Sequence, residues 1–243
     1  MQIVDSAGRD SGPGRTVKTY GQYCPIAKSV EVLGERWSIL VMRELLIGST
    51  RFNDLARGLP GMSRTMLSKR LRELEAGGLV ERLDGGYHLT PSGQELRPIV
   101  FGLGVWGEKW LLAEPDPDEL DPVSLMWHAH ARLDTSLLPD RRVVIAFELD
   151  DRPERFWIVV ESVGCSVCQA DPGFDVDVVV RSPLVTLYRI WYHQQTISSA
   201  VKQAELRFDG EPALVRRMPE VLDLISPDRL GVDDSSLRPV WFS

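Results

Sequence analysis

Between Ser63 and Gly86 the apolar and polar positions follow two different rhythms, and the rest of the chain reads outward from them. Leu67, Leu71 and Leu74 recur at i, i+4 and i+7, the spacing of a single buried helical stripe. At about 100° per residue, the opposite face carries Thr65, Lys69 and Arg72, with Ser68 at its edge. Ser63 supplies an N-cap oxygen, and Gly77-Gly78 offers the left-handed conformation that stops a helix. Leu79-Val80-Glu81-Arg82-Leu83 and Tyr87-His88-Leu89 then flank Asp84-Gly85-Gly86. That arrangement predicts two short strands around a tight turn, because glycine permits the positive φ such turns demand.

Upstream, Ile26, Val30, Leu33, Trp37, Leu40, Val41 and Leu45 give a helical pattern over 25–46. Pro25 suits its first turn, and Gly34 predicts a break into two shorter helices. Phe52, Leu55, Ala56 and Leu59 predict a short helix closed by Gly58 and Pro60-Gly61. Two short helices joined by a glycine-containing turn, the second with a polar face, form a helix-turn-helix, and the hairpin makes it a winged one. Thr90-Pro91 starts a further helix carrying Leu96, Ile99, Val100, Leu103, Val105, Trp106, Trp110 and Leu111. So many apolar residues serve either a partner subunit or the domain's own core.

After the acidic, proline-bearing stretch Glu114-Pro115-Asp116-Pro117-Asp118, a helix is expected over 122–138 and then the period changes. Val143–Phe147, Phe156–Val160, Cys165–Gln169 and Val176–Val180 are β-rich runs separated by turn residues. Helical grammar returns after Ser182-Pro183 and again at 197–203; Leu206-Arg207-Phe208 reads as a last strand and 212–224 as a closing helix. Strands grouped first and helices later argue for an α+β domain. The chain therefore divides into a tail at 1–19, a DNA-binding domain with a dimerisation helix at 20–113, an α+β domain at 121–225 and a C-terminal tail at 226–243.

Charge sharpens this division. The whole chain carries a net charge of -7, which looks wrong for a polyanion binder. Residues 1–113 hold 15 Lys+Arg against 12 Asp+Glu, a net +3, leaving 13 against 23, a net -10, for residues 114–243. Only the first half is thus expected to meet nucleic acid. The N-terminus lacks an apolar signal core and no run approaches the ~20 apolar residues of a membrane span, so no membrane partner and a cytoplasmic protein are expected. Three cysteines are too few for a disulfide framework.

Several motifs carry a family resemblance. Cys24-Pro25-Ile26, Leu33-Gly34-Glu35-Arg36-Trp37-Ser38-Ile39-Leu40, Arg51-Phe52-Asn53-Asp54-Leu55 and Ser63-Arg64-Thr65-Met66-Leu67-Ser68 resemble the HxlR family of bacterial winged-helix regulators. Leu71-Arg72-Glu73-Leu74-Glu75, Gly78-Leu79-Val80 and Leu89-Thr90-Pro91-Ser92-Gly93 extend the match over residues 20–112. The resemblance implies a homodimeric regulator, of repressor type, on double-stranded DNA, with the Ser63 helix in the major groove and the Asp84-Gly85-Gly86 wing near the backbone. It also places a cysteine, Cys24, just before the first core helix, where some members sense thiol-reactive compounds or oxidants. Asp171-Pro172-Gly173-Phe174-Asp175-Val176-Asp177 and Leu206-Arg207-Phe208-Asp209-Gly210 resemble the sterol-carrier-protein-like fold over 121–225. The chain departs from it in having Tyr192-His193-Gln194-Gln195 where that fold usually has a glycine. The second resemblance implies a small hydrophobic effector; a purely structural domain is the rival reading.

The candidate DNA contacts are Ser63, Arg64, Thr65, Ser68, Lys69 and Arg72, with Arg82 and the Gly85-Gly86 wing tip beside the backbone. Arg64 can reach a guanine edge, while Lys69 or Arg72 can neutralise phosphate. Cys24, at a helix start, is a candidate redox sensor, and a small buried hydrophobe is its alternative. Cys165-x-x-Cys168 lacks the further ligands zinc needs, and positions three apart on a strand face opposite ways, so neither metal nor disulfide is expected. His128 and His130 do not share a helical face and read as packing or surface residues. No phosphate loop, nucleophile elbow or HExxH motif is present, so neither catalysis nor a cofactor is expected. The alternative function is a hydrophobic-ligand carrier whose winged helix mediates protein association instead of operator binding.

Overall fold

The computed structural model describes residues 19–222 apart from 131 and 163. The expected tails at 1–19 and 226–243 lie outside the described residues except at Thr19, whose hydroxyl donates to Glu31 Oε1 at 2.8 Å.

The first half is the expected winged helix-turn-helix. Helices α1 (Pro25–Leu33) and α2 (Ser38–Leu46) are separated where Trp37 takes a left-handed φ of 79°. Gly34 permits the break, since a Cβ there would meet the Val30 carbonyl oxygen at 2.6 Å. Then follow α3 (Phe52–Arg57), α4 (Arg64–Ala76) and the antiparallel pair β1 (Val80–Leu83) and β2 (Gly86–Leu89). Met42, Leu55, Leu67, Leu71, Leu74 and Phe101 meet in its core, so the leucine stripe of α4 packs inward as its spacing requires.

One expected helix after Thr90 is two. Thr90 Oγ1 accepts from Gly93 N to cap α5 (Pro91–Gln94), and α6 (Arg97–Trp110) starts afresh with Pro98 in its first turn. Proline has no N–H to continue a preceding helix and suits the start of a new one. The apolar surplus of α6 is divided between two faces. Val100 and Phe101 are buried in the domain's core, whereas Ile99, Trp106 and Trp110 are exposed.

The second half is α+β. A short 3-10 turn at Pro117–Glu119 leads to α7 (Pro122–His130), which ends well before the expected residue 138. Thr135–Leu137 is instead a separate 3-10 turn, capped by Asp134 Oδ1 accepting from Ser136 N. Strands β3 (Val143–Leu149), β4 (Arg155–Glu161), β5 (Gly164–Cys168) and β6 (Val178–Ser182) follow, then α8 (Leu184–Trp191), α9 (Ile197–Lys202) and β7 (Arg207–Gly210). The sheet order is β5-β4-β3-β6-β7, antiparallel except for the parallel β3–β6 pair, in which Ile145 faces Val178. Val176 is exposed and precedes β6, contrary to expectation. The closing helix is also divided, into α10 (Pro212–Val215) and α11 (Met218–Val221), with Pro219 unable to donate across the junction. Leu224 lies outside the described residues.

Two backbone positions explain the local sequence. Gly210 has a φ of 145°, and a Cβ there would stand 2.1 Å from the Asp177 carbonyl oxygen, so only glycine closes β7 against β6. After α8, His193 takes the left-handed φ of 56° in the region where the fold usually has glycine. Ile145, Phe147, Phe156, Ile158, Val178 and Val180 form the sheet's share of the core, covered by α7, α8, α9, α10 and α11.

Candidate nucleic-acid interface

The hydroxyl of Ser63 caps α4, its Oγ accepting from Met66 N at 3.2 Å, which fixes where the helix begins. Arg64, Thr65, Lys69 and Arg72 are exposed, and Ser68 is half-buried at the edge of the same face. Arg64 is also pre-set. Its Nη2 donates to Asn53 Oδ1 at 2.6 Å and its guanidinium lies 4.9 Å from the Phe52 ring centroid, so α3 holds the first side chain of α4. Lys69 has only a distant ion pair with Glu73, at 3.9 Å. A surface pair of that kind contributes about 0–1 kcal/mol, so phosphate can displace it.

Arg70 behaves differently from its basic neighbours. It is 4% exposed and its guanidinium is held by Glu73 and, at 3.4 Å, by Glu35. Its place in the helical period, between Leu67 and Leu74, is the signal that distinguishes it from Lys69 and Arg72. This cation belongs to the fold and not to the outward face.

The wing is anchored to the turn between α2 and α3. Tyr87 N donates to the Thr50 carbonyl at 2.8 Å, and Arg51 Nη1 donates to the Asp84 carbonyl at 3.1 Å. Asp84 and Gly85 have φ values of 50° and 71°, the two positive angles of a tight hairpin turn. The exposed tip is therefore Asp84-Gly85. Gly86, expected beside the backbone, is buried, with Thr50 O only 3.3 Å from where its Cβ would be. Strand pairing to β1 and contact with Thr50 turn it inward. Arg82 is exposed, its guanidinium 5.4 Å from the Tyr87 ring. Arg51 is a cation beside the wing that sequence reasoning did not nominate; nothing local distinguishes it, because its wing neighbour is 33 residues away.

Behind this face lies a buried carboxylate that patterning also missed. Glu44 of α2 has no exposed surface; its Oε1 is 2.7 Å from Arg43 Nη2 and 2.9 Å from His128 Nε2. Arg43 Nη2 also donates to the Gly58 carbonyl at 2.9 Å, and a Cβ at Gly58 would stand 1.8 Å from Glu44 Oε2. His128, read from sequence as packing or surface, thus joins α7 to the helix-turn-helix. His130 is packed on Trp127, with ring centroids 4.6 Å apart, and burial lowers its pKa.

The three cysteines are free thiols and all are half-buried. Cys24 stands immediately before α1 with its carbonyl accepting from Lys28 N at 3.0 Å. Cys165 and Cys168 pair in β5 with Val160 and Trp157, three positions apart, which turns their side chains to opposite faces. Among the described residues no group of His, Cys, Asp and Glu is arranged to hold a metal, and no helix is long and apolar enough to cross a membrane. Within the C-terminal domain an apolar cavity of about 30 Å³ lies among Leu125, Met126, Phe147 and Ile197. Larger spaces, of about 480 and 360 Å³, lie between the two halves of the molecule.

Residues 32–115 match the HxlR-like helix-turn-helix family, and residues 136–223 match the SCP-2 sterol transfer family. The uncharacterized HTH-type transcriptional regulator YvaP of Bacillus subtilis is 37% identical over 108 residues, covering 41% of this chain and 96% of YvaP. Another uncharacterized HTH-type transcriptional regulator, from Synechocystis, is 39% identical over 101 residues, covering 39% of this chain and 75% of the relative. Among solved structures, quinone-bound YodB from B. subtilis matches at 33% identity and a TM-score of 0.34, covering 36% of this chain and 100% of that one.

Burial pushes the Cys165 thiol up to about 12. The thiol is the neutral form, so at pH 8 roughly one Cys165 in 10⁴ is thiolate, against about a quarter of ordinary thiols near ~8.5. Iodoacetamide at pH 8 is expected to label Cys165 about a thousandfold more slowly in the native chain than in urea. Equal rates in the two states would contradict this.

Proposed function

The chain belongs to the HxlR-like helix-turn-helix family, and from that premise we propose that it acts as a homodimeric, effector-responsive repressor on a specific operator. It is a DNA-binding transcriptional regulator with a winged helix-turn-helix and a C-terminal α+β domain. The observation that carries the proposed contacts is the N-capped α4. It presents Arg64, Thr65, Lys69 and Arg72 on one exposed face beside a wing tipped by Asp84-Gly85. An α-helix fits the major groove, where Arg64 near its start can address a base edge. Lys69 and Arg72, further along, neutralise phosphate.

Dimerisation is supported by an apolar surface on the same domain. Ile26 of α1 is 74% exposed, and Trp106 and Trp110 of α6 are 53% and 66% exposed, with Tyr23 and Ile99 also open. Exposed large apolar side chains gathered on one domain in this way are what an association site uses. A two-fold dimer places two recognition helices about 34 Å apart along one side of a duplex. Whatever shifts that spacing regulates binding. Cys24 adjoins this surface, between Tyr23 and Ile26, so a bulky or charged adduct on its sulfur alters the proposed interface. The chain works by occupying DNA in the cytoplasm, without chemistry of its own. Size counts against the carrier alternative, because the apolar cavity among the described residues of the C-terminal domain, about 30 Å³, cannot enclose a sterol.

Replacing Lys69 and Arg72 together by alanine is expected to weaken operator binding about tenfold at moderate salt and to flatten its salt dependence by about two phosphate contacts. An unchanged slope across a salt titration would sink the assignment. Trp106→Glu is expected to yield monomers in sedimentation and to weaken operator affinity; a stable dimer would move the interface elsewhere. If Cys24 is the sensing thiol, a thiol oxidant lowers operator binding of the wild type and spares Cys24→Ser. Equal sensitivity of the two removes Cys24 from the mechanism.

A further inference from the structure

The ligand-binding potential of the molecule lies between its domains. The interior of the C-terminal domain offers about 30 Å³, whereas the cleft bounded by α2 and α6 on one side and α7 and α8 on the other offers about 480 Å³. Pockets for small organic ligands span roughly 300–1,000 Å³; among the described residues the cleft and the space of about 360 Å³ beside α3 and β5 both reach that range, and the cleft is the larger of the two. Its walls are largely apolar, with Ile39, Phe101, Leu111 and Trp191 among them. On α6 the cleft is bordered by Val100, Leu103, Gly104 and Gly107, and Leu103 also lies on the stripe of the exposed Ile99, Trp106 and Trp110. The cleft and the proposed dimer surface therefore adjoin along Leu103, with Val100 and Gly104 on the side away from the exposed tryptophans.

Charge identifies the occupant. Arg132 is half-buried in the wall with its guanidinium 4.6 Å from the Trp191 ring centroid. Among the described residues it has no carboxylate partner and no hydrogen bond from its guanidinium. Burial, the largest influence, lowers its pKa, and the nearby positive charge of Arg43 adds to this, while Tyr192, Glu44 and Glu108 act the other way. Arg43 lines the same cleft, so two guanidinium groups share one apolar space. The carboxylate of Glu108 is also in the wall, but it makes no ion pair with either arginine. An unpaired, partly desolvated guanidinium gains most from a carboxylate, which it binds through two parallel hydrogen bonds.

The cleft is also wired to the DNA face. Arg43 Nη2, while lining it, donates to the carbonyl of Gly58, which ends α3 at the turn before the recognition helix. An anion seated on Arg132 also attracts the neighbouring Arg43 and so pulls on its hydrogen bond to that turn.

We propose that this inter-domain cleft is the effector site and that it takes a small organic carboxylate with a flat apolar body, its anion on Arg132 and its body against Phe101 and Trp191. The proposal rests on the reading of the chain as an effector-responsive regulator.

The test titrates 2-naphthoate, and its uncharged counterpart 2-naphthalenemethanol, into the full chain by calorimetry. Naphthoate is expected to bind about tenfold or more tightly than the alcohol, and Arg132→Gln to erase that difference. Gly104→Leu fills the cleft from α6, where a Cβ meets nothing within 4 Å, and is expected to abolish binding without lowering the melting temperature. Naphthoate is then expected to change operator affinity of the wild type and not of Arg132→Gln. The proposal is overturned if naphthoate does not bind, if it binds no better than the alcohol, or if either variant binds it like the wild type. It is equally overturned if naphthoate binds but leaves operator affinity unchanged. Operator binding measured without naphthoate separates the two readings: its loss counts against the regulator, whereas its persistence with no naphthoate effect counts against the cleft alone.

Discussion

Glu44 keeps a carboxylate in α2 with none of its side chain reaching solvent, its Oε1 bonded and its Oε2 without a hydrogen-bond partner among the described residues, and the arrangement of the molecule depends on how that group is held. An ionised carboxylate removed from water is costly unless it is paired and hydrogen-bonded. Arg43 and His128 converge on its Oε1, and the bare Cα of Gly58 makes room for its Oε2. These partners come from three places: the same helix, the C-terminal domain and the turn that precedes the recognition helix. One buried group therefore ties the α+β domain to the helix-turn-helix at the point where movement would reach DNA. Removing His128 leaves Arg43 alone on Oε1, beside an Oε2 that already lacks a partner, so the two domains resist separation there.

Around this tie the molecule separates its functions. The basic side chains proposed to contact DNA lie outward on α4, while Arg70, one position from Lys69 and Leu71, turns inward to Glu73 and Glu35. Placement, and not count, decides which cations are available. This is also why a chain with an overall net charge of -7 can bind a polyanion: the excess acid sits beyond residue 113. The apolar surface of α6 is divided in the same way, one stripe closing the core through Phe101 and another exposing Trp106 and Trp110.

The C-terminal domain has the mixed sheet and covering helices expected of a sterol-carrier-like fold, and the apolar cavity among its described residues is small. Phe147, Ile197, Leu206 and Trp191 converge on a space of only about 30 Å³. Close packing of this kind leaves little room for a lipid and makes the domain a rigid wall. Its α7 and α8 face the winged helix, and the larger space lies between the two. A ligand held there touches both domains, which a ligand enclosed in the β-sheet core does not.

How much of this was legible in the chain follows from the range of the interactions. The leucine stripe of α4, the Ser63 and Thr90 caps and the Asp84-Gly85 turn were readable because each is set by residues within one or two turns of backbone. The same local signals exposed Lys69 and Arg72 as candidates for DNA contact. Helix ends were less legible: Pro98 and Pro219 each split a pattern that periodicity alone joins, because the lost N–H does not change hydrophobic spacing. What sequence could not supply were the groups defined by distant partners. Gly86 is buried by Thr50, 36 positions earlier, and His128 finds its role on Glu44, 84 positions away. Arg132 gains its cleft only when α2 and α6 close against α7 and α8. Local periodicity thus determined the elements and the exposed basic face of α4, while the meeting of the two domains decided which charges are buried, which are free, and where a ligand has room.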